Sequence, residues 1–216
     1  MPMSKTDSKS AADRKSGKHQ LEAQRVNILD AAAKLFLQNG IESTTMSDIA
    51  SQAGITRVTL YRYYANRDAI AVEIQVRMMN EIASLVTPRA SGFSLESQKR
   101  QAQAMIRNFE QLRDAYRYIG MFDKIYLDNA PDAALTQWTK NQLVSWNRGR
   151  EAPDDVTREH PHGNQLSVIM NTIIWFLEKL ALRGELTWSD QEVPLEVHLK
   201  TFEDMIMGYF DRIMET

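Results

Sequence analysis

Cysteine is missing from all 216 residues, which excludes a disulfide framework and any thiolate metal site. Glycine occurs nine times, but never in the close pairs of a phosphate-cradling loop or a dinucleotide fingerprint, and no His-Glu-x-x-His is present. Histidine is scarce. His160 and His162 beside Glu159 resemble a metal cluster, yet they sit around Pro161 with no closed ligand set, so a solvated pair is the better reading and no metal is expected. His198 is the only other histidine outside the N-terminal tail. Nothing nominates a Ser-His-Asp triad, although triads are geometric and sequence alone does not exclude them. Long apolar runs are lacking too: the best, Leu166 to Leu177, is interrupted by Ser167, Asn171 and Thr172 and is too short to span a bilayer. The first residues lack the apolar core of a secretory signal. A cytoplasmic, non-enzymatic protein without cofactors is therefore the expectation. No β-strand pattern and no internal repeat is visible.

What the chain does have is a hairpin of two short helices at residues 46–64. Met46, Ile49, Ala50 and Ala53 fall at helical spacing, and Gly54 follows where a helix end needs a residue that tolerates positive φ. Thr56 suits an N-cap, and Leu60 and Tyr64, four apart, give the second helix a face to bury. Arg57, Thr59, Tyr61 and Tyr63 are assigned to the opposite face. A cation, a hydroxyl and two phenols there suit a groove of DNA, where Arg reads guanine edges and hydroxyls hold phosphates. An ordinary helical hairpin with a polar face has the same bare pattern.

The flanks favour the DNA-binding reading. Upstream, residues 26–41 form an amphipathic helix with Ile28, Leu29, Ala32, Leu35 and Phe36 on one stripe and Gly40 as its stop. Downstream, Asn66 can cap a linking helix with Ile70, Ile74, Met78, Ile82 and Leu85 at spacings of three and four.

Over residues 22–75 the sequence resembles the TetR family of bacterial transcriptional regulators, through Ile28-Leu-Asp-Ala-Ala, Leu35-Phe36, Gly40, Thr44-Thr-Met-Ser-Asp-Ile-Ala, Ala53-Gly-Ile-Thr and Thr59-Leu-Tyr-Arg-Tyr-Tyr-Ala-Asn-Arg-Asp-Ala-Ile. Two positions depart from it: Val58 stands where many members have a small residue, and Arg67 where many have lysine. Arg67 keeps the charge as a planar fork. Bulk at Val58 bears on how closely the second helix approaches DNA.

The resemblance implies an all-α fold: a three-helix helix-turn-helix domain joined by a linking helix to a C-terminal helical ligand-binding and dimerisation domain. The expected boundaries are a disordered basic tail at 1–20, the DNA-binding domain at 21–66 and the effector and dimer domain at 67–216. Thr45, Ser47, Thr56, Arg57, Thr59, Tyr61, Tyr63 and Arg67 are the expected DNA-facing residues, with Arg57 reading bases and Thr45, Thr59, Tyr61 and Arg67 holding phosphates.

Charge is split along the chain. Residues 1–67 carry ten Lys and Arg against six Asp and Glu, whereas the rest carries sixteen against twenty-two. Because phosphate neutralisation supplies much of the affinity for DNA, the basic end is the one expected on the duplex. Within the tail, Lys5, Lys9, Arg14, Lys15, Lys18 and His19 form either a basic arm that reaches a neighbouring groove or a plain solubilising segment.

Beyond a break around Pro88 and Gly92, helices are expected over 94–114, 115–129 and 131–147, then a mobile connection at 148–163 and two apolar helices over 164–183 and 194–214. The last two are apolar on more than one side, so they lie centrally or pair with a second copy. The family resemblance favours the homodimer, which suits a twofold reading of palindromic double-stranded DNA. Met105, Phe109, Tyr116, Phe122, Tyr126, Trp138, Trp146, Asn171 and Trp175 are candidate lining for a small apolar or aromatic effector, the alternative being plain core. An activator or DNA-organising protein with no effector shares the same reading head.

Overall fold

Two glycines with positive φ, Gly40 at +88° and Gly54 at +67°, set the punctuation of the N-terminal part. The computed structural model describes residues 5–86, 94–128, 162–183 and 193–215. Helix α1 runs Lys5–Asn39, and the Gly40 N–H donates to the Phe36 carbonyl at 2.9 Å to close it. Helix α2 (Met46–Gln52) starts at Thr45 and α3 (Arg57–Tyr63) at Thr56. Between them the Ile55 N–H donates to the Ala50 carbonyl at 3.0 Å, a bond made possible by the left-handed Gly54. Helix α4 (Arg67–Val86) is capped by Asn66, whose Oδ1 accepts from the Ala69 N–H at 2.9 Å.

The chain divides into two compact units, Met1–Ile74 and Gln75–Thr216. The first closes around Ile28, Ala32, Phe36, Ile41, Ile49, Leu60, Ile70, Ala71 and Ile74, all fully buried. It extends past the boundary expected at residue 66 because Ile70, Ala71 and Ile74 belong to its core. Polar ties fix the helices to one another. Arg25 donates two bonds to the Glu73 carboxylate, at 2.8 and 2.6 Å, and lies 5.7 Å over the Tyr64 ring. Asn27 Nδ2 donates to the Ala53 carbonyl at 2.8 Å.

The tail expected to be disordered is corrected: from Lys5 onward it is the helical continuation of α1. The reason is local. A helix already nucleated by the buried stripe at 28–36 extends at little cost through Ala, Lys, Gln and Glu, which favour helix. The extension carries little apolar surface; Leu21, the large apolar residue near its base, is exposed.

In the second unit, α5 (Leu95–Arg107), α6 (Phe109–Asp123), α7 (Gly163–Arg183) and α8 (Leu195–Met214) surround a core of Met105, Ile106, Phe109, Leu112, Tyr116, Leu166, Ile173, Leu177, Phe202 and Phe210. Its sequence-based boundary at residue 114 is corrected to Asn108. That side chain folds back to donate to the Ala104 carbonyl at 2.8 Å, competing with helix continuation as Asn does. A π-turn, Lys124–Asp128, follows α6. Gly120 lets α6 and α7 approach: a Cβ there would stand 3.3 Å from Glu178 Cβ and 2.9 Å from Leu182 Cδ1. Phe176 and Phe202 stack at 3.9 Å between α7 and α8, while Gln103 and Arg107 of α5 both donate to Glu203 of α8.

Helix α7, 21 residues with a mean hydropathy of 1.3 over its most apolar window, is long and apolar enough to cross a membrane by composition alone, contrary to the expectation from its interrupted run. Its stripe of Leu166, Ile169, Ile173, Leu177 and Leu180 is buried against protein instead. The helix expected at 131–147, with Trp138 and Trp146, lies outside the described residues, as do Glu159 and His160.

Candidate nucleic-acid interface

Leu60 is fully buried and Tyr64 nearly so, and these two residues fix the rotation of α3 about its axis. At 100° per residue Val58 and Arg62 point away from that pair, Thr59, Tyr61 and Tyr63 lie to the sides, and Arg57, in the first turn, lies nearer the buried side. Arg57, Val58, Tyr61 and Arg62 are exposed, Val58 at 68%, whereas Thr59 and Tyr63 are half-buried, so the expected grouping of Arg57, Thr59, Tyr61 and Tyr63 on one face is corrected. Of the two outward residues, Arg62 is missing from the expected DNA-facing set and Val58 enters the sequence reading only as a bulky departure. The spacing from Leu60 and Tyr64 already contained them, since positions two from a buried residue point away from it.

Both hairpin helices are capped by the hydroxyls expected at DNA. Thr45 Oγ1 donates to Asp48 Oδ2 at 2.7 Å and accepts from the Asp48 N–H at 3.2 Å, while the Thr45 N–H donates to the same carboxylate at 2.9 Å. This is a capping box, and the Thr45 hydroxyl and amide together hold the Asp48 carboxyl below its ordinary pKa. Thr56 Oγ1 accepts from the Thr59 N–H at 3.1 Å and lies 2.9 Å from the Thr59 hydroxyl. Ser47 is exposed on the first turn of α2.

Arg67 is anchored rather than displayed. Its Nη1 donates to the Glu42 carbonyl at 2.7 Å and reaches the Thr44 carbonyl at 3.5 Å, which ties the loop before α2 to the start of α4. At the other end of this stretch of α4, the Glu73 carboxylate holds the Arg25 guanidinium more firmly protonated than usual. Burial, with Glu73 adding to it, raises the Tyr64 phenol above its ordinary range.

Residues 28–74, from the buried stripe of α1 to the second turn of α4, match the family model described as bacterial regulatory proteins, tetR family. The matched residues are thus a DNA-binding domain of the TetR type. The chain is 25% identical over 188 residues to the Mycobacterium tuberculosis regulator named for mycofactocin biosynthesis, MftR, covering 87% of this chain and 91% of that one. It is 40% identical to the HTH-type transcriptional repressor KstR2 of Rhodococcus jostii over 63 residues, only 29% of each protein. Likeness to that repressor is therefore confined to less than a third of either chain. Among solved structures, a TetR family transcription regulator from Marinobacter aquaeolei superposes with a TM-score of 0.56 at 17% identity, covering 88% of this chain and 97% of that chain. The fatty acid degradation regulator FadR from Bacillus halodurans gives 0.55 at 17% identity over 85% and 94%. At such identities the structures speak for the fold alone. The chain is a DNA-binding transcriptional regulator, all-helical in its described residues.

The candidate effector residues divide in the structure of this regulator. Met105, Phe109, Tyr116, Phe122 and Tyr126 are buried, with Phe122 and Tyr126 rings 4.6 Å apart. Burial, with a smaller contribution from Glu178, raises the Tyr116 phenol above its ordinary range, and its buried hydroxyl has no hydrogen-bond partner among the described residues. Asn171 and Trp175 are exposed, because the buried stripe of α7 runs along its opposite side, and Trp175 is 59% accessible with Lys179 6.0 Å over its ring. Asn171 instead borders an open hollow of about 240 Å³ with Gln98, Leu166, Ser167 and Met170.

Proposed function

We propose that the chain is a homodimeric repressor that reads a palindromic operator with α3 and is released from it by a small apolar or aromatic effector. The observation that carries this reading is the exposed set on α3: two cations, a phenol and an isopropyl group displayed on a helix that Leu60 and Tyr64 pin to the core. Arg57 reads a base edge, and Arg62, Tyr61 and Ser47 serve the phosphates. Thr59 and Tyr63 contribute from the flank, while Thr45, Thr56 and Arg67 position the helices that make the contacts.

Two copies are needed because a single short helix covers few base pairs, whereas a twofold pair spans half-sites ~34–36 Å apart. The outer faces of α7 and α8 supply apolar surface for that pairing, with Val168 at 64%, Trp175 at 59% and Met205 at 67% exposure. An effector seated among Met105, Phe109, Phe122 and Tyr126 acts through α4, and operator DNA must weaken its binding by the same factor. A cytoplasmic location follows from the same role.

A mobility-shift titration on a duplex from the chain's own promoter tests the reading. Retarded complex at low concentration, lost with Arg57→Ala, is expected. Equal affinity of both proteins for that promoter and for unrelated DNA would sink it.

A further inference from the structure

We propose that Val58 reads the C5-methyl group of a thymine in the major groove, making it a specificity residue of the operator contact. The inference rests on the reading of α3 as the recognition helix.

Val58 is, at 68%, more exposed than any other large hydrophobic side chain among the described residues. Scattered apolar residues on a surface need no explanation. Val58 is different in its setting. It occupies the second position of a seven-residue helix, where a β-branched residue lowers helix propensity, and at this exposure it gains little from burial to offset that. Tyr61 and Arg62, three and four residues on, share its side of the helix, and Arg57 precedes it; all three are exposed. An apolar group thus stands in the middle of a polar, cationic surface that is shaped to meet DNA.

The chemistry of the groove then decides the partner. Among the base edges of the major groove, the donors and acceptors of guanine, cytosine and adenine offer an isopropyl group no hydrogen bond, and only thymine presents a methyl. Docking Val58 against guanine O6 or cytosine N4 would desolvate those groups without replacing their bonds, so Val58 both rewards T·A and penalises its competitors. The rotation of α3 is fixed by Leu60 and Tyr64, and its N-terminus is fixed by Thr56. Val58 and Arg57 therefore meet neighbouring positions of the site.

The test replaces thymine by deoxyuridine, one position at a time, in each half-site of the operator recovered from the chain's own promoter or by selection from random duplexes. This removes a methyl and nothing else. One position should weaken the wild-type protein by about fourfold, the worth of burying one methyl-sized group. Val58→Ala, at a site that supports no core contact, should bind the thymine operator less well and be indifferent to the methyl at that position. If every uracil substitution affects wild type and Val58→Ala alike, the inference fails. Arg57→Ala in the same operator set separates the causes: loss there with no Val58 coupling overturns the methyl contact alone. No loss there either means that α3 is not the reading helix, and the inference falls with that reading.

Discussion

Arg57 and Arg62 are both exposed on α3, yet they are expected to behave differently when removed. Arg57→Ala should cost about 1–3 kcal/mol at one operator position and relax specificity there. Arg62→Ala should weaken all sequences alike and lower the slope of log affinity against log salt by about one unit. Binding of both variants across an operator library, at several salt concentrations, separates them; identical profiles would contradict the assignment. Arg67→Ala should instead lower the denaturation midpoint, because its bonds to the Glu42 and Thr44 carbonyls hold the loop before α2. The buried Tyr116 hydroxyl lacks a partner among the described residues, so Tyr116→Phe should leave stability unchanged or raise it, whereas a loss of more than about 1 kcal/mol would reveal a hidden acceptor.

At the scale of the elements, the helix boundaries of the reading head were legible because their signals are local. Gly40, Gly54, Thr56 and Asn66 each act on the backbone within four residues, and each takes the part its chemistry suggests. The face of α3 was less legible: listing polar residues put Thr59 and Tyr63 outward, whereas the angle set by Leu60 and Tyr64 selects Val58 and Arg62. The helical tail was missed because composition reports the lack of apolar surface but not the propagation of a helix from its neighbour. The caps make a further prediction. Thr45→Ala should cost about 1 kcal/mol of stability. The Asp48 carboxyl titrates lower in the folded state than in the unfolded chain, so its contribution is present above the unfolded pKa and is lost as pH falls through the folded one. The stability difference between wild type and Asp48→Ala should therefore be flat near neutrality and shrink in acid, as chemical denaturation at several pH values will show. A constant difference down to the lowest pH would argue against the capping box.

For the whole molecule, the division between the two compact units falls at Ile74 and Gln75, within the residues of α4. The fold class and the two-part plan were readable from hydrophobic spacing and from the family resemblance. Which aromatic residues face inward was not, since Trp175 and Tyr116 look alike in composition and differ only in the side of their helix. The exposed apolar strip of α7 and α8 predicts that Trp175→Glu combined with Met205→Glu yields a folded monomer by light scattering, with operator affinity reduced to its non-specific level. A dimer that survives both changes would move the interface elsewhere. The most direct test of the paired reading head is a stoichiometric titration with footprinting on the chain's own promoter. Two chains per duplex and two protected half-sites ~34–36 Å apart are predicted. One chain per site, or protection without twofold symmetry, would contradict the account.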